Sequence, residues 1–97
     1  MAVSNYVLYR KAGDDLERII NWYEQQSPGL SIYFLEDVEE SLNKVLANPY
    51  SYKLVTTEVR RCLMKRFPYV IYYVLDRNMI VVLRVRGKRQ RPLKKYK

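Results

Sequence analysis

The chain has 97 residues, with 18 Lys+Arg against 10 Asp+Glu, a formal net charge of +8 and no histidine. That length holds one core, and an apolar content of 48% argues for a packed domain rather than disorder. A single cysteine, Cys62, and the lack of histidine exclude an internal disulfide, a cysteine-rich metal site, the serine–histidine triad and the zincin motif.

Asn5-Tyr-Val-Leu-Tyr9 is aromatic and β-branched and reads as a short opening strand. Ala12-Gly13-Asp14-Asp15 reads as a turn and helix start, with its acids in the first turn. Leu16, Ile19, Ile20 and Tyr23 follow at the spacing of one helical face, and this helix ends near Gln26. Ser27-Pro28 supplies an N-cap and a first-turn proline for a second helix. That helix places Leu30, Phe34, Val38, Leu42, Val45 and Leu46 on one side and stops at Asn48-Pro49.

Beyond Pro49 the pattern changes. Val59–Phe67 mixes apolar and basic residues with no helical period, Tyr69–Leu75 is a strong strand, Asp76-Arg77-Asn78 is a turn, and Met79–Val85 is another strand. Strand, helix, helix and three hairpin-ordered strands predict an α+β fold, with a helical hairpin on a mainly antiparallel four-stranded sheet. One domain over residues 1–97 is expected, with 87–97 as a basic tail. The longest apolar run is too short to cross a membrane, and Met1-Ala2-Val3-Ser4 does not open a signal peptide. The expected location is cytoplasmic, with no membrane contact.

Charge is divided unevenly along the chain. Residues 1–48 carry four basic and eight acidic groups, and residues 49–97 carry 14 basic and two acidic ones. A surface for a polyanion or an acidic protein follows, with a merely solvated basic face as the plainer alternative. Arg60, Arg61, Lys65 and Arg66 sit on or beside one strand. Arg84, Arg86, Lys88, Arg89 and Arg91 lie at the end of another. Hairpin order brings the two groups towards each other. Alternation puts Arg61 with Lys65, and Arg84 with Arg86, on single faces. Such guanidinium groups hold phosphates bidentately.

RNA is cleaved without a metal when its own 2′-hydroxyl attacks the adjacent phosphate. Arginines then stabilise the developing charge, and a lysine among cations or a tyrosine moves the proton. Lys65, Lys88 and Tyr96 are the residues for that role; the alternative is that they only bind phosphate or an acidic partner. No cofactor or metal is expected. Tyr69, Tyr72 and Tyr73 either stack bases or pack as core, and Trp22 either anchors a partner or packs at the core edge.

The whole pattern resembles the RelE/ParE toxins of bacterial type II toxin–antitoxin pairs, also known as plasmid stabilisation or addiction modules. The matching stretches are Asp15-Leu-Glu-Arg-Ile19, Ser27-Pro-Gly-Leu30, Asn48-Pro49, Val59-Arg-Arg61, Arg66-Phe-Pro-Tyr-Val-Ile-Tyr-Tyr73, Ile80–Val85 and Lys88-Arg-Gln-Arg-Pro92. The resemblance implies a growth-arresting toxin with a β-α-α-β-β-β fold, neutralised by a cognate antitoxin in a hetero-oligomer. RelE-like members cut mRNA on the ribosome; ParE-like members poison DNA gyrase. Gly87-Lys-Arg-Gln-Arg91 resembles the RelE-type segment, with Arg89 at its cleavage-assisting arginine and Arg61 at a basic position. Val70 and Leu63 stand where that branch has an arginine and a lysine, and Tyr96 is one residue from its tyrosine. Phe67–Tyr73 resembles the ParE branch, although Gly87 replaces a frequent histidine there. Ribosome-dependent mRNA cleavage through Arg61, Lys65, Lys88, Arg89 and Tyr96 is the first expectation. Gyrase inhibition, or a non-toxic relic that only binds antitoxin, is the alternative.

Overall fold

A computed structural model of the chain describes residues 5–91 and 93. Its elements run β1 (Asn5–Leu8), α1 (Arg10–Gln26), α2 (Leu30–Ala47), β2 (Arg60–Leu63), β3 (Tyr69–Asp76) and β4 (Met79–Gly87). The sheet order is β1-β4-β3-β2; β1 runs parallel to β4 and the other pairs are antiparallel. This is the α+β arrangement expected from the sequence. Arg77 and Asn78 both have positive φ, 50° and 64°, the conformation of a two-residue turn whose twist suits a hairpin.

Both helix starts differ from the sequence reading. Tyr9 still donates its N–H to the Val82 carbonyl at 2.9 Å, and the helix follows at once, with the Gly13 N–H donating to the Tyr9 carbonyl at 3.0 Å. α1 therefore begins at Arg10, and Asp15 lies inside it rather than in its first turn. Ser27 is the C-cap of α1 and not the N-cap of α2. Gly29, in the left-handed region at φ 88°, caps α2. The reason is Glu24. Its carboxylate accepts the Gly29 and Ser31 N–H groups, each at 3.1 Å, and the Ser31 hydroxyl, so α1 itself supplies the cap of α2.

The sheet buries both faces. Towards the helices, Ile71, Tyr73, Ile80, Val82 and Val85 pack against Ala12, Ile19, Phe34, Leu42 and Val45. On the other face Val59, Val70, Tyr72, Val74, Val81 and Leu83 form a second cluster, against which Val55, Met79 and Leu93 pack. Burial on both sides explains why β3 reads as an unbroken apolar run. It also settles the tyrosines: Tyr72 and Tyr73 are core, with the Tyr73 hydroxyl donating to the Pro49 carbonyl at 2.7 Å.

Two aspartates share this interior. Asp15, on the buried face of α1, accepts the Val85 N–H at 2.9 Å and the Arg84 Nε at 2.8 Å. Asp37, fully buried on α2, accepts the backbone N–H groups of Lys65, Arg66 and Phe67 at 3.3, 2.8 and 3.0 Å. Burial alone would raise the Asp15 carboxyl. The bonds from Arg84, Val85 and Arg18 and the Arg84 charge outweigh it and hold the carboxyl below its ordinary 3.8.

A carboxyl depressed in the folded state contributes stability above the unfolded-state value and loses it as pH falls through the folded value. Asp15→Ala is expected to cost about 3 kcal/mol in urea denaturation, because Arg84 is left with a buried edge and no counter-charge. Its unfolding should also lose part of the wild-type acid limb below about pH 4. Asp37→Ala is expected to cost about 2 kcal/mol through its orphaned N–H groups, read as faster amide exchange at Lys65–Phe67.

Candidate functional site

At the end of the sheet where β3 begins and β4 finishes, α1 crosses and leaves a cavity of about 850 Å³. Ile19, Tyr23 and Tyr69 line it from the core side, and Arg18, Trp22, Lys88, Arg89 and Gln90 surround it. The turn after β4 is held by backbone. The Lys88 N–H donates to the Pro68 carbonyl at 2.8 Å, continuing the β3–β4 ladder beyond its last pair. Gln90 closes the turn: its N–H donates to the Gly87 carbonyl at 3.0 Å and its Oε1 accepts the Gly87 N–H at 2.6 Å. Lys88 and Arg89 are thus presented exposed, on a fixed turn. A Cβ on residue 87 would meet Gln90 Oε1 at 3.3 Å, which favours glycine there.

The wall is aromatic. Tyr23 packs edge-on to Trp22, Phe67 and Tyr69, with centroids 5.1 to 6.3 Å away. Burial and Tyr69 push the Tyr23 phenol up to about 12, so it stays neutral and cannot serve as a base near neutrality. Trp22 is 53% exposed beside it. Arg18 is tethered at 3.3 Å to Asp15, yet its side chain remains 62% exposed. The result is an apolar cavity with three cations around it, fitted to an anion that carries an apolar group.

Of the cations singled out from the sequence, Lys88 and Arg89 line this cavity among the described residues, and the aromatic candidates Trp22 and Tyr69 line it with them. Arg61 pairs with Tyr72, and Arg86 with Val70, both of the second cluster, so they stand on the opposite sheet face from the helices. Arg86 Nε is buried without a hydrogen-bond partner among the described residues. Arg84 starts from the same side of β4, but a bulge at the Tyr72/Tyr73 register shift precedes it and its guanidinium reaches Asp15. Arg60 donates to the Tyr50 and Tyr52 carbonyls at 3.1 and 2.6 Å and lies over the Tyr50 ring, tying down the segment before β2. Lys65 and Arg66 lie beyond β2, so the shared strand face expected for Arg61 and Lys65 does not form. Arg66 instead contacts Glu40 at 3.6 Å. Arg91 is exposed, and Tyr96 lies outside the described residues.

Sequence reasoning passed over Arg18, Tyr23 and Gln90 as site residues. Arg18 and Trp22 are one turn apart on α1, a spacing that marks a shared face once the buried stripe is known.

Residues 6–92 match the family model described as "ParE toxin of type II toxin-antitoxin system, parDE". The chain belongs to this family. A solved structure, "Chromosomal ParDE TA system from P. aeruginosa", superposes with a TM-score of 0.74 over 88% of this chain and 95% of that one. At 22% identity the likeness concerns the fold. No curated protein matches the sequence. The family places the molecule as a type II toxin component, and the structural likeness agrees with the β-α-α-β-β-β order.

In this ParE-family toxin the two arginines on Asp15 are unequal. Arg84→Ala is expected to lose about 2–3 kcal/mol and Arg18→Ala less than about 1 kcal/mol in urea denaturation, because Arg18 is largely solvated and Asp15 keeps Arg84.

Proposed function

We propose that the chain arrests growth by binding its target rather than by cutting RNA, that the target is DNA gyrase, and that a cognate antitoxin holds it inactive in a hetero-oligomer. The observation that carries this reading is the separation of Arg61 from Arg89. Metal-free cleavage of RNA needs several groups within hydrogen-bond reach of one phosphate. Here Arg61 shares a sheet face with Tyr72, whereas Arg89 borders a cavity on the helix side. Between them Val70 is buried in the core, and no cation projects from that position of β3. A binding toxin needs only a charged, partly apolar surface, and the rigid turn at Lys88–Gln90 offers one.

The test pairs two assays. Purified toxin is expected to abolish supercoiling by purified gyrase, while primer extension on mRNA from induced cells shows no new ends. Discrete mRNA ends with supercoiling intact would overturn the binding reading in favour of ribosome-dependent cleavage. Neither effect, with growth unaltered, would mark a relic. Arg89→Ala is expected to weaken gyrase inhibition by about tenfold, the size of one rim cation with direct contact, and the loss should shrink at high salt.

A further inference from the structure

We propose that the sheet face turned away from the helices grips the phosphate backbone of a DNA duplex through Arg61 and Arg86. This goes beyond gyrase binding, because the contact is made by the toxin itself.

Both arginines stand over the second cluster, Arg61 beside Tyr72 and Arg86 beside Val70. Both are half-buried, so part of each side chain is withdrawn from water. The other two half-buried arginines have acceptors: Arg60 the Tyr50 and Tyr52 carbonyls, and Arg84 the Asp15 carboxylate. Arg61 and Arg86 have neither an acid nor a side-chain hydrogen bond among the described residues, and Arg86 Nε is buried without an acceptor. A partly desolvated guanidinium is costly unless an anion meets it. Two of them on one face, each still half-open to solvent, make a surface that is completed from outside.

Spacing gives the class of anion. Arg61 lies on β2 and Arg86 on β4 with β3 between, so their backbones stand at least about 10 Å apart. One carboxylate does not span that distance, whereas a chain of evenly spaced phosphates does. The exposed acids Asp14, Glu17, Glu36 and Glu39 lie on α1 and α2, across the sheet. A long polyanion therefore approaches the sheet side without meeting them. The floor then decides between duplex and single strand. Val70 and Tyr72 are both buried, and the exposed Tyr50 ring is covered by the Arg60 guanidinium. Unpaired bases need an aromatic face to stack on, and none is presented between the two cations. A duplex keeps its bases stacked inside and offers its phosphates.

The test is fluorescence anisotropy with a short labelled DNA duplex, one of its strands alone, and polyglutamate of equal charge. The duplex is expected to bind at least about fivefold more tightly than the other two. Arg61→Gln should lower the slope of log affinity against log salt by about 0.9, the share of one phosphate contact. Adding Arg86→Met should bring that loss to about 1.8. Arg10→Ala with Lys11→Ala removes two exposed charges from the start of α1 and should leave the slope unchanged. Arg86→Met should not lower the melting temperature of the free toxin, where Arg86 has no partner to lose. Equal or tighter binding of the single strand or of polyglutamate, an unchanged slope in Arg61→Gln, an equal change in the Arg10/Lys11 variant, or no saturable binding would each overturn the proposal. A lowered melting temperature for Arg86→Met would overturn it too, by making that arginine structural. Gyrase inhibition is scored separately. Duplex binding without inhibition removes the gyrase reading and leaves this face standing; inhibition without duplex binding does the reverse.

Discussion

The Asp15 carboxylate holds the far end of the sheet in place. β1 pairs with β4 only as far as Val82, so from Leu83 onward that edge of β4 has lost its neighbour. An unpaired N–H at a buried edge is costly unless something accepts it. Asp15 reaches in from α1 and accepts the Val85 N–H, and the Arg84 guanidinium returns across the edge to neutralise the charge. With that edge fixed, β4 continues to Gly87 and delivers Lys88, Arg89 and Gln90 beside α1. The cavity, its cations and its aromatic wall all depend on this one contact between elements 70 residues apart in sequence.

The same device recurs twice. Glu24 caps α2 through the backbone of Gly29 and Ser31, and Asp37 gathers the Lys65–Phe67 turn. In each case one carboxylate satisfies several backbone donors that regular structure leaves over. The acidic groups of the first half are therefore not merely a solvated counterweight to the basic second half. Three of them are the joints by which the helices hold the rest of the chain.

Much of the fold was legible in the sequence because β3 and the helical stripes obey simple periodicities. Leu16, Ile19, Ile20 and Tyr23 all face the core, as do Phe34, Val38, Leu42 and Val45 on α2. The helix starts were misread because capping was sought within each helix. Ser27 looked like a cap, but Glu24 from the preceding helix does that work over a distance that local rules do not cover. The site was less legible. Strand alternation put Arg84 and Arg86 on one side of β4, yet it could not show that the sheet lies between Arg61 and the cavity that Arg89 borders. Arg60 and Arg84 look identical to Lys88 and Arg89 as charges, and differ only in being bound to carbonyls or to Asp15. An acid at position 15, four residues before Ile19 on the buried stripe, was the one visible sign of that network.

The parallel register of β1 on β4 constrains how the molecule comes into being. Asn5–Leu8 has no strand partner until Met79–Val82 has been made, since its neighbours in the sheet are contributed by the second-last stretch of the described chain. Pairings of such long sequence separation form late and slowly. During synthesis the helical hairpin emerges first with its core face bare, and neither the sheet nor the cavity can close until translation has passed β4. A chain cut short anywhere before that point lacks the partner strand for Asn5–Leu8 and cannot present Lys88 and Arg89 beside α1.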